Sequence, residues 1–491
     1  MYLEKLLDDV SITRIDPQFR HLDVQAISCD SRKVTKDALF VALQGGQHNG
    51  LEFIKDAIRN GASVVVSSER MNVQRAAYPK VCFLTADDPK EFLDAATRRL
   101  YGNPSSEVKT IGITGTNGKT TVSYLIESIL GASGHKSGVI GTVNYRIAGE
   151  IMPSLNTTPD FVFNQHFLSL LVKKHIPYCA MEVSSHALDQ HRVQFINFRT
   201  AVFTNLTSDH LDYHKSRERY FAAKAQLFTQ LEPKGIAIIN IDDVYGRQLC
   251  TMTDANVITY GITHQADVMA QDVHMSFAGN RFFIMHGGQE IEIKAKLIGK
   301  FNIYNMLAAA AACMAEGIPL GIVKKGIERL EFVPGRLETV ALGQDFPVFI
   351  DYAHTEDALE NVLTTIHEVS KARIILVFGC GGDRDKSKRP LMGKVAGRLA
   401  DIAIVTSDNP RSEPPQSIID QIISGFQKNN YKIEVNRKAA IYQALAMAGQ
   451  GDLVLIAGKG HEDYQILVDK KIDFNERQII KEYIDVHHSR N

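Results

Sequence analysis

The sequence predicts a three-domain α/β protein, and three observations carry that expectation. Short β-branched runs alternate with helical segments along all 491 residues. At roughly 100–200 residues per domain, a chain of this length holds two to four domains. Polar and glycine-rich clusters follow strand after strand, as in GTNGKTT, FTNLTSDH, FGCGG, TSDNPR and AGKGHE. Open α/β sheets bind their ligands at such strand ends.

Residues 1–100 read as a small α/β domain, with strand-like ALFVAL (Ala38 to Leu43) and ASVVVSS (Ala62 to Ser68) flanking the helical FIKDAIRNGA. A second domain, 101–332, begins near VKTIGITG, and CAMEV, RTAVFTN and GIAIINID are its strand-like runs. RFFIMHGGQEIEIKAKL alternates differently, as antiparallel hairpins do, and the helix IYNMLAAAAACMAEG follows. This domain is expected to combine a parallel sheet with a small antiparallel one. FVPGRLE (Phe332 to Glu338) carries proline and glycine and reads as a linker. In 333–491, PVFIDYAHT, RIILVFGCGG, DIAIVTSDNP and LVLIAGKGHE are apolar strands separated by helical segments. That pattern predicts a Rossmann-like domain with mainly parallel strands.

Composition narrows the function classes. Hydrophobic residues make up 44% and charged residues 23%, ordinary for a soluble globular chain. The net charge of -1 gives no overall attraction to nucleic acid or anionic membrane. The chain has no tryptophan and no basic-aromatic stripe, which further disfavours a nucleic-acid role. Its six cysteines are scattered and form no C-x-x-C pair, so reduced thiols are expected rather than a disulfide framework or zinc ribbon. MYLEKLLDDV has acidic residues where a secretory signal needs an apolar run. No stretch approaches the roughly 20 apolar residues of a membrane span. A cytoplasmic protein is expected.

GITGTNGKTT, from Gly112 to Thr121, almost fits the phosphate-cradling pattern G-x-x-x-x-G-K-[ST]. The pattern wants a glycine at position 113, but Ile113 stands there and the glycine lies one place earlier. A glycine turn capped by threonine would look similar. The context favours the phosphate loop, because TIGITG reads as a strand and TTVSYLIESILGASG as an amphipathic helix. Gly115 and Gly118 allow a tight turn and close backbone approach. The helix's first N–H groups would face an anion. Lys119 supplies a point charge for the β- and γ-oxygens, and Thr120 a hydroxyl for Mg²⁺.

Two later segments hold metal-ligand candidates. Glu182 in CAMEVSSHALDQHR stands just past a strand, where a carboxylate that handles Mg²⁺ is expected. An acid favoured by a helix N-terminus is the alternative. FTNLTSDHLDYH places Asp209, His210, Asp212 and His214 after another strand, with His210 the candidate metal or phosphate contact. Lys224 in YFAAKAQLF reads, from its residues alone, as a solvated helix lysine.

GTNGKTT, MEVSSHALDQHR, TNLTSDHLDYH, DYAHT, GCGGDRDKSKRP, DNPR and GKGHE occur in this order. With them the chain resembles the Mur ligases, most closely the MurE type, from DSRKV at Asp30 to GKGHE. The family's loop carries the same offset glycine, G-x-T-G-T-N-G-K-T-[TS]. The resemblance implies a UDP-muramoyl-binding first domain, an ATP-binding second domain and a third domain that brings the amino acid. It implies ATP as co-substrate, Mg²⁺, and an acyl phosphate on the D-glutamyl carboxylate that an amine then attacks. A carboxylate is a poor electrophile, and bringing it to a triphosphate demands metal ions and cationic side chains.

By that resemblance Gly115, Thr116, Asn117, Gly118, Lys119, Thr120 and Thr121 hold ATP, with Asn305, Arg336 and Asp351 on its adenine, phosphates or ribose. Lys119, Glu182, His210 and Lys224 form the catalytic set. Thr120 and Glu182 serve one Mg²⁺, and His210 with a carbamylated Lys224 a second. Asn156, Thr157, Thr158, Ser184, Gln190 and Arg192 meet the UDP-muramoyl dipeptide. Cys29, Ser31 and the turn Gly46, Gln47, His48 meet its uridine end. Glu356 stands where the family usually has proline, and FNERQ (Phe474 to Gln478) replaces a more acidic stretch.

The resemblance also implies which amino acid is added. MurE-type enzymes that take meso-diaminopimelate carry D-N-P-R, and here Asp408, Asn409, Pro410 and Arg411 match it. Diaminopimelate has a second carboxylate that an arginine fork can bind bidentately, and L-lysine has none. Arg384, Gly458 and Glu462 complete the implied pocket, with Glu462 on the distal ammonium. The partners are therefore small molecules, and a monomer is expected. The rival expectations are a sister ligase, whether an L-lysine-adding MurE type, another Mur enzyme or a folylpolyglutamate synthetase, and an ATP-gated regulatory binding protein.

Overall fold

The computed structural model describes residues 1–8, 15–44, 49–69, 76–207, 209–468 and 470–488. The chain forms two compact units. The first comprises residues 1–109, 159–177 and 191–197. Its sheet is parallel, in the order β1 (Ala26–Ser28), β2 (Ala38–Val41), β3 (Ala62–Ser67), β4 (Cys82–Thr85). Alternation along the strands divides the core between two faces. Leu39, Val41, Val64 and Val66 pack with Phe161 and Val162 on one side. Phe40, Val65 and Phe83 pack with Ile54 on the other.

The second unit comprises 110–158, 178–190 and 198–491. Its larger sheet is built from β5 (Lys109–Thr114), β6 (Ser137–Ile140), β7 (Asn144–Ile147), β8 (Glu150–Pro153), β9 (Tyr178–Glu182), β10 (Phe198–Phe203), β11 (Ile236–Asn240), β12 (Asn256–Gly261), β13 (Val268–Ser276), β14 (Gly279–His286) and β15 (Gln289–Ala295). The strand order is β15-β14-β13-β12-β11-β10-β5-β9-β6-β7-β8, which puts the strand that leads into the phosphate loop between β10 and β9. Strands β13–β15 pair antiparallel, as their alternation implies, and join the parallel strands through Tyr260↔Val268 in one continuous sheet. Helix Lys119–Ala132 packs Val122, Ile126 and Ile129 against this sheet, together with helix Lys300–Ala315. The alanines 308–312 of the latter are fully buried, their small side chains allowing close approach.

The remaining sheet has the order β16 (Glu338–Thr339), β17 (Val348–Asp351), β21 (Asp452–Ala457), β18 (Arg373–Phe378), β19 (Ile402–Val405), β20 (Tyr431–Ile433). All its pairs are parallel except β16 with β17. A separate hairpin joins β22 (Tyr464–Leu467) to β23 (Lys470–Asp473). Among the described residues no helix is long and apolar enough to cross a membrane.

Candidate active site

The loop after β5 folds as its glycines require. Gly115 and Gly118 take φ of 143° and 91°. A Cβ on Gly115 would stand 1.9 Å from Thr204 Oγ1, and one on Gly118 2.3 Å from Asn305 Oδ1. The buried Asn305 is held against the loop by donating to Asn302 Oδ1 at 3.0 Å. Residues after β10 tie the loop down. Thr116 N donates to Asn205 O at 2.8 Å, Asn117 N to Asn205 Oδ1 at 3.0 Å, and Thr204 Oγ1 to Asn117 O at 2.6 Å. Lys119 donates to the carbonyls of Gly115 (2.9 Å) and Thr116 (2.8 Å). Burial pushes its pKa down, and the Glu182 and Asp209 carboxylates oppose that. Thr121 is buried in the first helical turn, whose N–H groups have no helical partner.

Glu182 ends β9 with 1% exposure and gathers the neighbouring hydroxyls. Its Oε2 accepts Thr120 Oγ1 at 3.1 Å and Thr142 Oγ1 at 2.9 Å, and its Oε1 accepts Thr142 N at 2.9 Å. Arg336 Nη2 reaches Thr120 Oγ1 at 3.2 Å, so residue 336 shares the phosphate-loop neighbourhood. Asp351, at the end of β17, accepts Leu337 N at 2.6 Å and Ala353 N at 2.8 Å. Burial raises its pKa, and Arg336 opposes the rise.

Lys224 is 1% exposed, which overturns the expectation of a solvated helix lysine. Its Nζ donates to Gly115 O at 2.8 Å and lies 4.6 Å from the centre of the Tyr220 ring. Burial, reinforced by the Lys119 charge, holds its pKa well below the usual lysine range. His210 has φ 53° and stands 3.5 Å from Asp209 Oδ2, its ring 4.8 Å from His186 and 6.1 Å from Tyr220. Burial pushes its pKa down to about 4 against the pull of Asp209. Among the described residues no three or more His, Cys, Asp or Glu side chains gather into a metal cage. The Thr120 hydroxyl and Glu182 carboxylate still fit Mg²⁺, which takes one or two carboxylates plus phosphate oxygens and water.

The DNPR segment and the GKGHE segment meet beyond β19 and β21. Asn409 Nδ2 donates to Glu462 Oε2 at 2.8 Å. A Cβ on Gly458 would lie 2.8 Å from Asp408 Oδ2. Arg411, at φ 52°, donates from Nη1 to Gly382 O at 2.7 Å, and its backbone bridges to Leu467 of β22. Pro410 is buried, and Arg384 is exposed on the loop after β18.

The expected dipeptide-binding residues divide between the units. Asn156, Thr157, Thr158, Ser184 and Gln190 belong to the second, and Cys29, Ser31 and Arg192 to the first. Thr157 Oγ1 lies 3.1 Å from Thr142 Oγ1, and Thr158 Oγ1 donates to Glu182 O at 2.8 Å. Ser184 Oγ caps the helix Ser185–Asp189 by accepting Ala187 N at 3.2 Å. Tyr145 OH donates to Asn156 O at 2.7 Å, and Gln190 Nε2 to Tyr213 OH at 3.3 Å. In the first unit Ser31 is buried, and Arg192 O accepts Asn164 Nδ2 at 3.0 Å. Burial pushes the Cys29 thiol up to about 11. Gly46, Gln47 and His48 lie outside the described residues.

Comparison with known proteins adds an independent finding. Residues 23–101 match the model of the Mur ligase family catalytic domain, 113–313 the Mur ligase middle domain, and 335–460 the Mur ligase glutamate ligase domain. The chain is 43% identical over 486 residues, 99% of each chain, to a UDP-N-acetylmuramoyl-L-alanyl-D-glutamate--2,6-diaminopimelate ligase of Clostridium acetobutylicum. The chain belongs to the Mur ligase family. A ligase of the same name from Clostridium botulinum is 44% identical over 94% of this chain and 95% of its own. A solved structure of a diaminopimelate ligase of that name superposes with TM-score 0.68 at 31% identity, covering 99% of both chains.

In this Mur ligase the structure adds residues that sequence reasoning missed. Thr142 supplies two of the three hydrogen bonds to the Glu182 carboxylate, from a loop with no recognisable motif. Asp357 accepts both Asn117 Nδ2 (3.2 Å) and Thr207 Oγ1 (2.8 Å), which links DYAHTED to the phosphate loop. Its neighbour Glu356, the departure from proline, opens the helix Glu356–Val369 behind the Thr355 cap. Glu476 of FNERQ is buried and pairs with the equally buried Arg437 at 2.7 Å.

Proposed function

We propose that this Mur ligase joins meso-2,6-diaminopimelate to the D-glutamyl carboxylate of UDP-N-acetylmuramoyl-L-alanyl-D-glutamate, at the expense of ATP, in peptidoglycan precursor synthesis. One observation carries the proposal. A phosphate loop closed by Glu182 shares its unit with an Asp408–Asn409–Arg411–Glu462 cluster, in a chain 43% identical over 99% of its length to a ligase of that name. Residues 1–100 serve the UDP end, 101–332 ATP, and 333–491 the amino acid. The protein acts as a cytoplasmic monomer.

The chemistry follows from the side chains. The D-glutamyl carboxylate attacks the γ-phosphorus, ADP leaves, and an acyl phosphate forms. The diaminopimelate amine then attacks the acyl carbon, loses a proton, and inorganic phosphate departs. Lys119 and Arg336 offset the charge that builds up as two anions approach. The loop residues Gly115 to Thr121 cradle the phosphates, while Asn305 and Asp351 orient the nucleoside. Asn156, Thr157, Thr158, Ser184, Gln190 and Arg192 place the dipeptide, and Cys29, Ser31, Gly46, Gln47 and His48 its uridine end. Arg411 takes the distal carboxylate of diaminopimelate, and Glu462 its ammonium, with Arg384, Asp408, Asn409, Pro410 and Gly458 completing the pocket.

Thr120 and Glu182 would hold one Mg²⁺, which would supply neutralisation of triphosphate charge, and His210 with Lys224 would hold a second. As an ammonium, Lys224 does not suit a cation. Its lowered pKa favours the free amine, which adds to CO₂, releases a proton and becomes an anionic carbamate.

The deciding experiment is ATP-dependent phosphate release with UDP-N-acetylmuramoyl-L-alanyl-D-glutamate, comparing meso-diaminopimelate with L-lysine. Turnover with diaminopimelate alone is expected. Turnover with lysine would keep the ligase and remove the role of Arg411. ATP binding without turnover on either would favour a sister ligase or an ATP-gated regulator.

A further inference from the structure

Lys459 lies inside the GKGHE segment, and its side chain is 0% exposed. Its Nζ donates to Asn409 Oδ1 at 3.1 Å and Glu462 Oε2 at 3.0 Å. We propose that Lys459 is a positioning residue for amino-acid binding, fixing how Asn409 and Glu462 face the incoming diaminopimelate. This inference rests on the ligase function proposed above.

The hydrogen bonds admit one arrangement. Asn409 Oδ1 accepts from both Lys459 Nζ and Ile466 N, the latter at 2.9 Å. The carbonyl side of the amide must therefore face these two donors, which turns Nδ2 to Glu462 Oε2 at 2.8 Å. Glu462 Oε2 thus receives two donors, while among the described residues none hydrogen-bonds Oε1. One oxygen anchors the carboxylate, and the other is left for a substrate ammonium. Lys459 and Glu462 form an ion pair at 3.0 Å, with side chains 0% and 17% exposed.

The same lysine acts at the other end of the pocket. Ile466 N is held by Asn409 Oδ1, and Ile466 O accepts Arg411 N at 3.2 Å. The hairpin strand that carries Ile466 therefore links the Lys459-fixed amide to the backbone of Arg411. A fully buried Lys459 does not itself touch substrate, so its effect passes through Asn409 and Glu462.

The test uses the full chain and steady-state phosphate release, varying each substrate in turn. Lys459→Met should raise the KM for diaminopimelate by roughly 10–100-fold, as loss of a supporting partner does at other sites. The KM values for ATP and the UDP-dipeptide should stay unchanged. Glu462→Gln and the double variant Lys459→Met/Glu462→Gln provide the second arm, and the double variant leaves no unpaired buried carboxylate. If Lys459 acts partly through Glu462 and partly through Asn409, the loss in the double variant should exceed that of Glu462→Gln but fall short of the product of the two single losses. An unchanged diaminopimelate KM in Lys459→Met, a parallel rise in all three KM values, or single losses that multiply in full in the double variant would overturn the inference. Absence of diaminopimelate turnover in the wild-type protein would instead remove the ligase function, and the inference with it.

Discussion

The Thr120 hydroxyl donates to Glu182 at 3.1 Å, so the first turn of the phosphate-loop helix and the end of β9 converge on one carboxylate. Glu182→Gln keeps the shape but replaces one acceptor oxygen with an NH₂ group facing the Thr120 and Thr142 donors. Phosphate release should fall by roughly 10²–10³-fold, the cost of losing one preorganised electrostatic group. The Mg²⁺ concentration for half-maximal rate should rise. Wild-type turnover with unchanged Mg²⁺ dependence would exclude Glu182 from metal handling.

Arg411 spends one nitrogen on Gly382 O, which holds the guanidinium at the edge of the Asn409–Glu462 cluster. Arg411→Ala should lower kcat/KM for diaminopimelate by about 10²-fold or more, in the range for losing one partner of a charged pair. Any slow turnover with L-lysine should hardly change, because lysine lacks the distal carboxylate. Equal losses on both amino acids would mean that Arg411 only straps the loop.

These two sites differ in how much of them was legible in the sequence. GTNGKTT announced itself because a tight turn against Thr204 and Asn305 admits only glycine at positions 115 and 118. The strand and helix on either side follow from local apolar patterning. The fastening of the loop did not announce itself, because Asn205 and Asp357 lie 88 and 240 residues from Asn117 and carry no local signal. Lys224, among alanines on a helix, looks solvated until tertiary packing buries it. Glu476 likewise gains its meaning only from Arg437, 39 residues away.

The phosphate loop also sets a stability prediction. Gly115→Ala must place a methyl 1.9 Å from Thr204 Oγ1 at φ 143°. Strain of this kind costs about 1–3 kcal/mol, and the clash adds to it. The variant should melt below wild type and bind ATP more weakly, measured by thermal unfolding with and without nucleotide. A wild-type midpoint with full nucleotide stabilisation would mean that the loop relaxes freely.

Arg389 is fully buried and forks onto Glu413, with contacts at 2.9 and 2.8 Å. The pair joins the loop after β18 to the segment that carries Arg411, because Glu413 also accepts Asp383 N at 2.6 Å. The Arg389 hydrogen bonds pull the Glu413 pKa from 4.5 to about 2. A carboxylate held this low in the folded state stabilises fully above the unfolded-state value. As pH falls, the unfolded chain takes up the proton first, and the contribution drains away toward about 2. Wild type should therefore melt a few degrees above Glu413→Gln at pH 7, and the gap should narrow between pH 4.5 and 3. Thermal midpoints of both proteins across that range provide the check. A gap that stays constant down to pH 3 would show that Glu413 acts through shape and neutral hydrogen bonding rather than through its charge.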